Sequence, residues 1–259
     1  MRDGRSASTE HLATALGAVR RLCPEIPLMA IRWMQVRHPV HEIQVRLLRA
    51  EPLAERGRRH WLRRLAQCVA FAGLMSVRVL RLRVRLRREL ARLRREPFEL
   101  VARTCAFGPQ RLADGQDFYY GNLQERLGRR GRRLLVVCSD ATGGDWRAFA
   151  AAHAGAVPGN RLPEWALLSP RDPFSLMGRQ LVTSWRLSRL ARRHRDPAVR
   201  EVARAASREC LAPDTALSAL AFWAARAAVR TWRPRAFLAF YEGHAVEPCI
   251  RWGVKAADR

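Results

Sequence analysis

Residues 56–96 constrain the fold most strongly, because they combine a long apolar stretch with 14 arginines and only two acids. The uncharged run LAQCVAFAGLMSV leads into the sequence VRVLRLRVRLRRELARLRRE, which ends at Glu96. Apolar residues in this second sequence are separated by 3, 4, 4 and 3 positions, and this spacing predicts one narrow stripe along an α-helix. The stripe comprises Val79, Leu82, Leu86, Leu90 and Leu93. We therefore predict a long arginine-rich amphipathic helix.

The stripe of this helix has three alternative surroundings. It can pack against the rest of the protein with its arginines in water, or lie in the surface of an anionic membrane while the arginines reach the lipid headgroups. A nucleic acid is the least favoured partner, because residues 77–96 contain no Tyr or Phe to stack on bases. A spanning helix needs about 20 apolar residues, so we do not expect the 13-residue uncharged run to cross a membrane alone.

The composition limits the partners and the cellular location. The formal net charge is +25, and Lys255 is the only lysine among 48 Lys and Arg residues. Such an arginine-rich surface attracts phosphates, whether they belong to nucleic acids, lipids or nucleotide sugars. The six cysteines are far apart and form no CxxC pair, so we predict reduced, mostly buried thiols and no metal site. The N-terminal sequence MRDGRS lacks the apolar core of a signal peptide, and we expect a cytoplasmic protein.

Beyond Pro97 the sequence indicates an α/β fold. Three short apolar runs predict strands at residues 132–138, 165–169 and 236–241. Between the last two runs lie helical patterns at 174–210 and 214–232, with Asp214 as the expected N-cap of the second. The sequence NLQERLGRRG predicts a short helix before the first strand, capped by Gly131.

Strands that alternate with helices predict a Rossmann-like, doubly wound parallel sheet, here preceded by the long arginine-rich helix. We expect three regions along the chain. Residues 1–55 form an N-terminal segment whose structure the sequence determines poorly, residues 56–97 form the basic helical region, and residues 98–259 form the Rossmann-like domain.

Ligands of such sheets bind beyond the carboxyl ends of the strands, so the loops there are the candidate sites. One loop follows the first predicted strand and contains Asp140, Thr142, Gly143 and Gly144. Its glycines can bring backbone amides close to a phosphate, although the sequence is neither a Walker A loop nor GxGxxG. An ordinary strand-to-helix turn is the alternative.

The second candidate loop follows the last predicted strand and carries Glu242, His244 and Glu247. Pro248 is suited to the first position of a following helix, which places Glu247 near the positive end of the helix dipole. A carboxylate at this edge can accept hydrogen bonds from sugar hydroxyls or act as a general base, and a histidine can do either or bind phosphate. The alternative is that the two glutamates pair with arginines such as Arg251.

The chain resembles bacterial surface carbohydrate (polysaccharide) biosynthesis proteins, which look like two-domain GT-B glycosyltransferases. The resemblance covers roughly residues 60–255 and depends on three features: the arginine-rich helix, the segment DFYYGNLQERL that leads to the strand LLVVC, and the pattern Tyr-Glu-x-x-(aromatic)-Glu. The corresponding stretch here is Tyr241-Glu242-Gly-His-Ala-Val-Glu247, which has three residues instead of two before the aromatic position and has Val246 where the family favours Trp.

The resemblance implies a membrane-associated glycosyltransferase-like protein on the cytoplasmic side of the plasma membrane. Its partners would be a nucleotide sugar as co-substrate, rather than a resident cofactor, and a glycan or lipid-linked acceptor. Glu242 would bind or deprotonate the acceptor hydroxyl, His244 would contact phosphate or a hydroxyl, and Glu247 would fix the turn. The length matches only the acceptor-side half of a GT-B enzyme. The resemblance therefore implies a split enzyme whose partner chain supplies the donor domain, a degenerate remnant, or a truncated reading frame. A non-catalytic membrane-surface or assembly module is the first alternative, and a basic nucleic-acid-binding protein is the second.

Overall fold

The computed structural model describes residues 3–31, 58–106, 119–140, 160–240 and 245–257. The helices are α1 (Asp3–Leu22), α2 (Ile26–Met29), α3 (Arg58–Arg85), α4 (Arg87–Arg95), α5 (Leu123–Arg129), α6 (Asp172–Arg193), α7 (Pro197–Glu209), α8 (Pro213–Trp232) and α9 (Val246–Ala257). The strands are β1 (Leu100–Ala106), β2 (Leu134–Asp140), β3 (Arg161–Pro163) and β4 (Ala236–Ala239), and a 3₁₀ helix, Glu164–Leu167, follows β3.

The four strands form one parallel sheet in the order β3-β2-β1-β4. Leu100 of β1 lies opposite Leu134 of β2 on one side and Ala236 of β4 on the other. The chain therefore builds the sheet outward from β1 to β3 and then returns to add β4 on the opposite side of β1. This order confirms the predicted α/β, Rossmann-like doubly wound sheet preceded by the arginine-rich helix.

The sequence explains two of these elements directly. Residues 134–138 of β2 are all buried, because the strand lies between two neighbours in a parallel sheet and both of its faces are covered. Gly131 caps the carboxyl end of helix α5 as predicted, and its φ of +67° is left-handed. The N–H of Gly131 donates to the Gly128 carbonyl at 3.0 Å, and the N–H of Arg132 donates to the Leu127 carbonyl at 2.9 Å, as in a Schellman motif.

Several predicted boundaries are wrong. Residues 165–169 do not form a strand, because the chain leaves the sheet at Pro163 and continues as the 3₁₀ helix; a short buried apolar run does not distinguish the two. Helix α8 begins at Pro213, so Asp214 lies in its first turn and is not its N-cap.

The helical pattern at 174–210 is two helices, since Asp196 caps α7 by accepting from the N–H of Ala198 at 2.8 Å. Likewise Pro248 is the third residue of α9.

The structure divides into two compact units, each made of discontinuous segments. The first contains residues 1–74, 173–220 and 243–249, and the second contains residues 75–172, 221–242 and 250–259. The predicted boundaries at residues 55 and 97 stay predictions.

The core of the first unit is helical and contains three buried cysteines, Cys23, Cys68 and Cys210. Gln180 connects two of them, because its Nε2 donates to the Cys210 carbonyl at 2.6 Å and its Oε1 accepts from the Cys68 thiol at 3.4 Å. Burial raises the pKa of both Cys23 and Cys68 to about 11. Five of the six cysteines are buried, which confirms the prediction of mostly buried thiols, and their reduced state stays a prediction.

The second unit contains the sheet, and helix α5 covers one of its faces. Ala102, Leu134, Val136 and Cys138 form a buried cluster there, against which Leu127 and other apolar side chains pack. Elsewhere in this unit the Trp232 indole packs edge-on against Phe98, with 6.1 Å between ring centroids. Its Nε1 donates to the Leu93 carbonyl at 2.9 Å, so the end of α8 is fixed to the end of α4.

Helices α3 and α4 are nearly continuous, because hydrogen bonds join Leu86 N–H to the Leu82 carbonyl and Leu90 N–H to the Leu86 carbonyl, both at 2.9 Å. The five residues of the predicted stripe are all buried, at 5% exposure or less. Within the described residues, Trp61–Arg85 is a helical segment long and apolar enough to cross a membrane by length and composition alone. The uncharged run of 13 residues is only part of this segment, so the apolar length of the helix is greater than the run alone predicts.

Helix α9 approaches α8 closely at Gly253, and this contact gives a test of the fold. A Cβ at Gly253 would lie 2.3 Å from the backbone oxygen of Phe222 and 3.1 Å from the Cβ of Ala225. We expect Gly253→Ala to lower the free energy of unfolding by about 1–3 kcal/mol, because the helices must separate. Urea denaturation measures this loss.

Gly178→Ala in α6 is the matched control, since a Cβ there meets no atom within 4 Å. It should leave stability unchanged or raise it by up to about 1 kcal/mol through helix propensity. Equal effects of the two substitutions would contradict the close contact of α8 with α9.

Candidate functional site

The strand order places the candidate site at the carboxyl ends of β1 and β4. The chain connections reverse direction between these two strands, and ligands of open parallel sheets bind at such a reversal. β4 ends at Ala239, so Glu242 follows it by three residues. Both Glu242 and His244 lie outside the described residues.

The other predicted site residues have different outcomes. Asp140 is the last residue of β2, as expected for a loop that begins at the strand end. Thr142, Gly143 and Gly144 lie outside the described residues. Glu247 is the second residue of α9 and its residue is 7% exposed. Glu247 belongs to the first unit and Asp140 to the second, and the predicted roles of all these residues stay predictions.

Two tyrosines fix the end of the sheet at which Glu242 follows β4. The ring of Tyr119 stacks parallel on the ring of Phe240, with 3.9 Å between centroids and 6° between planes. The hydroxyl of Tyr120 donates to the carbonyl of Arg103 at 3.2 Å. Sequence reasoning included both tyrosines in the resemblance but assigned them no role. The stack holds Phe240, and hence the start of the segment that carries Glu242, against the rest of the second unit.

A buried ion pair lies beside this stack. The Nε of Arg103 donates to Glu164 Oε1 at 3.1 Å, and its Nη2 donates to Oε2 at 3.0 Å. Both side chains are less than 8% exposed. Burial alone would lower the pKa of Arg103, but the charge and hydrogen bonds of Glu164 outweigh it and raise that pKa, so the guanidinium stays charged in the interior. The guanidinium carbon also lies 6.0 Å from the Phe240 ring centroid, at the outer limit of a cation–π contact.

Polar groups continue from the ion pair to the ends of β1 and β2. The hydroxyl of Ser139 donates to the Thr104 carbonyl at 3.3 Å, and Cys105 Sγ lies 3.3 Å from the same hydroxyl oxygen. These bonds join the end of β1 to the end of β2, from which the first predicted ligand loop begins.

The described side chains of this region have a structural role: they hold the ends of the strands in place. The Arg103 and Glu164 charges neutralise each other in a bidentate pair, and the Tyr119–Phe240 stack offers a half-buried aromatic surface beside them. Sequence reasoning missed the pair because Arg103 interrupts the apolar run of β1. The sequence did contain a signal for the pair, because Arg103 and Glu164 each interrupt a short apolar segment.

The buried pair can be tested by removing one charge. We expect Glu164→Gln to lower the free energy of unfolding by about 3–5 kcal/mol, because it leaves a guanidinium in the interior without a counter-charge. The double variant Arg103→Met with Glu164→Leu should recover most of this loss, since neither charge remains. Urea denaturation of both variants measures the difference.

Glu125→Gln is the control, because Glu125 forms an exposed pair with Arg129 on α5. Its stability should change by no more than about 0.5 kcal/mol. If the double variant were as unstable as Glu164→Gln, the cost would come from side-chain packing and not from the unpaired charge.

Comparison with known proteins finds no relative: no family model matches this chain, and neither a curated protein nor a solved structure is significantly similar to it.

Proposed function

We propose that this protein binds the surface of anionic membranes through helix α3. The observation that carries the proposal is a second apolar stripe on α3, distinct from the buried one and exposed on the protein surface. The exposed large apolar side chains of this helix are Trp61, Leu62, Val69, Leu74, Val77, Leu80 and Val84, each at least 39% exposed. A surface of this size on a soluble protein indicates an interaction site.

Helical geometry gathers most of these side chains on one face. At about 100° per residue, Leu62, Val69, Val77, Leu80 and Val84 fall within an arc of about 80°. The buried residues Met75, Val79 and Leu82 of the same helix lie about 120–180° from the centre of this arc. The helix therefore presents one apolar stripe to the protein and a second one outward.

The charges beside the outward stripe match an anionic lipid surface. Arg63, Arg81 and Arg85 are exposed and flank the stripe, and α3 contains no acidic residue at all. Each arginine close to an anionic leaflet contributes about 1 kcal/mol of attraction. An apolar stripe bordered by guanidiniums is the pattern of a helix that lies in the membrane interface.

Helix α6 in the first unit repeats this pattern. Phe174, Val182 and Trp185 are each about half exposed, and their spacing places them on one face. The guanidinium of Arg189 lies 5.7 Å from the Trp185 ring centroid. Trp and Arg are side chains that combine apolar area with a polar end, which suits the headgroup region of a bilayer.

The buried stripe of α3 favours an orientation parallel to the membrane surface over one across it. Met75, Val79 and Leu82 are buried, and in a helix surrounded by lipid they would instead face acyl chains. We therefore place the protein peripherally on the membrane, and its expected location is the cytoplasmic side of the plasma membrane.

Gly73 provides a gain-of-function test of the lipid-binding stripe. It lies on the outward face of α3, and a Cβ there meets no atom within 4 Å. We expect Gly73→Leu to tighten binding to phosphatidylglycerol-containing vesicles at least about fivefold, because the added side chain enters the interface. The triple variant Val77→Ser, Leu80→Ser and Val84→Ser should weaken binding at least about tenfold. Vesicle co-sedimentation measures both.

Gly128→Leu and Leu217→Ser are the matched controls for the two kinds of change, since both positions are open or exposed and lie on other helices. They should leave vesicle binding unchanged. Protein that binds equally well in all variants would refute the role of α3, and protein that resists extraction by alkaline carbonate would show that the helix spans the bilayer.

We further propose that the Rossmann-like domain is the acceptor-side half of a GT-B-type glycosyltransferase of surface polysaccharide biosynthesis. The observation that favours this chemistry is the position of β4 next to β1, where the strand order reverses. Glu242 follows β4 closely and is proposed to bind or deprotonate the acceptor hydroxyl, with His244 and Glu247 in the roles given above. A nucleotide sugar is the proposed donor, and a partner chain is proposed to supply its binding domain.

Glu242→Gln tests this chemistry. It should abolish consumption of UDP-, GDP-, CMP- or dTDP-sugars in the presence of native membranes, because the amide cannot act as a base. Its melting temperature should stay within a few degrees of the parent protein, and Glu125→Gln should keep full activity. Unchanged turnover in Glu242→Gln would exclude the assignment, and absence of turnover in the parent protein alone would require the assay to be repeated with the partner chain.

A further inference from the structure

We infer that a cavity at the amino ends of β1 and β4 is a binding site for a phosphoryl group. The cavity has a volume of about 550 Å³ and lies within the second unit. Its lining residues are Glu99, Leu100, Leu127, Arg130, Arg132 and Arg235. It is at the edge of the sheet opposite to the end from which Glu242 follows β4, so it is a separate site.

Backbone hydrogen bonds fix the three arginines in place around this cavity. Arg130 is the C-cap of α5, and Arg132 follows after the left-handed Gly131. The N–H of Arg235 donates to the carbonyl of Glu99 at 2.8 Å, which attaches the start of β4 to the start of β1. The three arginines therefore lie on anchored backbone, and their exposed side chains line the same cavity.

The charges of the cavity do not balance. Glu99 accepts a hydrogen bond from Arg132, and among the described residues it is the only carboxylate that lines the cavity. In the described part of the chain, no carboxylate pairs with Arg130 or Arg235. The carboxyl end of α5 favours a cation at Arg130, but it does not account for Arg235. Like charges that converge on one cavity repel each other, so an anion that enters between them is stabilised.

The shape of the guanidinium group selects the kind of anion. Its planar array of N–H donors matches phosphate oxygens and binds them through paired hydrogen bonds. Leu100 and Leu127 are half-buried and add an apolar wall. The site therefore suits a phosphoryl group attached to a less polar body, and the phosphoryl group can belong to a soluble phosphate ester or to a phospholipid headgroup.

Calorimetric titration with inorganic pyrophosphate tests the site at physiological ionic strength, where the Debye length of about 8 Å screens distant charges. The parent protein should show saturable binding. Arg130→Gln with Arg235→Gln should weaken it at least about tenfold, because two charge-assisted contacts are lost. The matched control is Arg126→Gln with Arg129→Gln, which removes the same charge from the exposed surface of the same helix and should change the affinity by less than about twofold.

Vesicles of phosphatidylcholine with and without phosphatidic acid identify the source of the phosphoryl group. If the cavity variant loses phosphatidic-acid-dependent binding and pyrophosphate competes for it in the parent protein, the ligand is a lipid headgroup. If both double variants bind these vesicles alike while only the cavity variant loses pyrophosphate, the ligand is soluble. Absence of saturable pyrophosphate binding, or equal losses in both double variants, would overturn the inference while leaving the role of α3 in membrane binding intact.

Discussion

The ion pair between Arg103 and Glu164 is the constraint on which the sheet depends. β1 pairs with two strands and its fourth residue is an arginine with almost no access to water. An unpaired charge in that position would cost about 3–5 kcal/mol, which is a large part of the free energy of unfolding of a typical domain. Glu164 enters the interior from the segment after β3, so the pair connects the two strands that flank β2. The order β3-β2-β1 and the early end of β3 at Pro163 together bring Glu164 to Arg103.

The same pair explains how far the sequence could predict the fold. Patterns that depend on one element were predictable: the buried stripe of α3 and α4, the strand at β2, and the cap at Gly131. β1 was not predicted, because Arg103 reads as a polar interruption until Glu164 is known to lie beside it. The apolar run after Glu164 was assigned to a strand for the complementary reason, since period and composition do not reveal that the chain has already left the sheet.

The candidate site was predictable only in part. The expectation that ligand loops begin at strand ends requires just the strand positions, and Asp140 does end β2. The support beneath the loops depends on contacts between distant segments, such as Tyr119 on Phe240 and Cys105 beside Ser139. Neither member of such a pair carries a local signature. The outward stripe of α3 could not be predicted for a different reason. The helix has two apolar stripes, and their spacing in the sequence does not reveal which one the protein buries.

The excess of arginine connects the membrane proposal with the phosphoryl site. With 48 Lys and Arg residues against 23 Asp and Glu, at least 25 cations have no acidic partner of their own anywhere in the chain. Their mutual repulsion acts against the compact state. An anionic surface or a phosphorylated ligand that binds only the folded protein offsets this repulsion and stabilises the fold by mass action. Within the described residues, the outward stripe of α3, a helix without acidic residues, and the arginine-lined cavity both place part of that unbalanced charge beside apolar side chains.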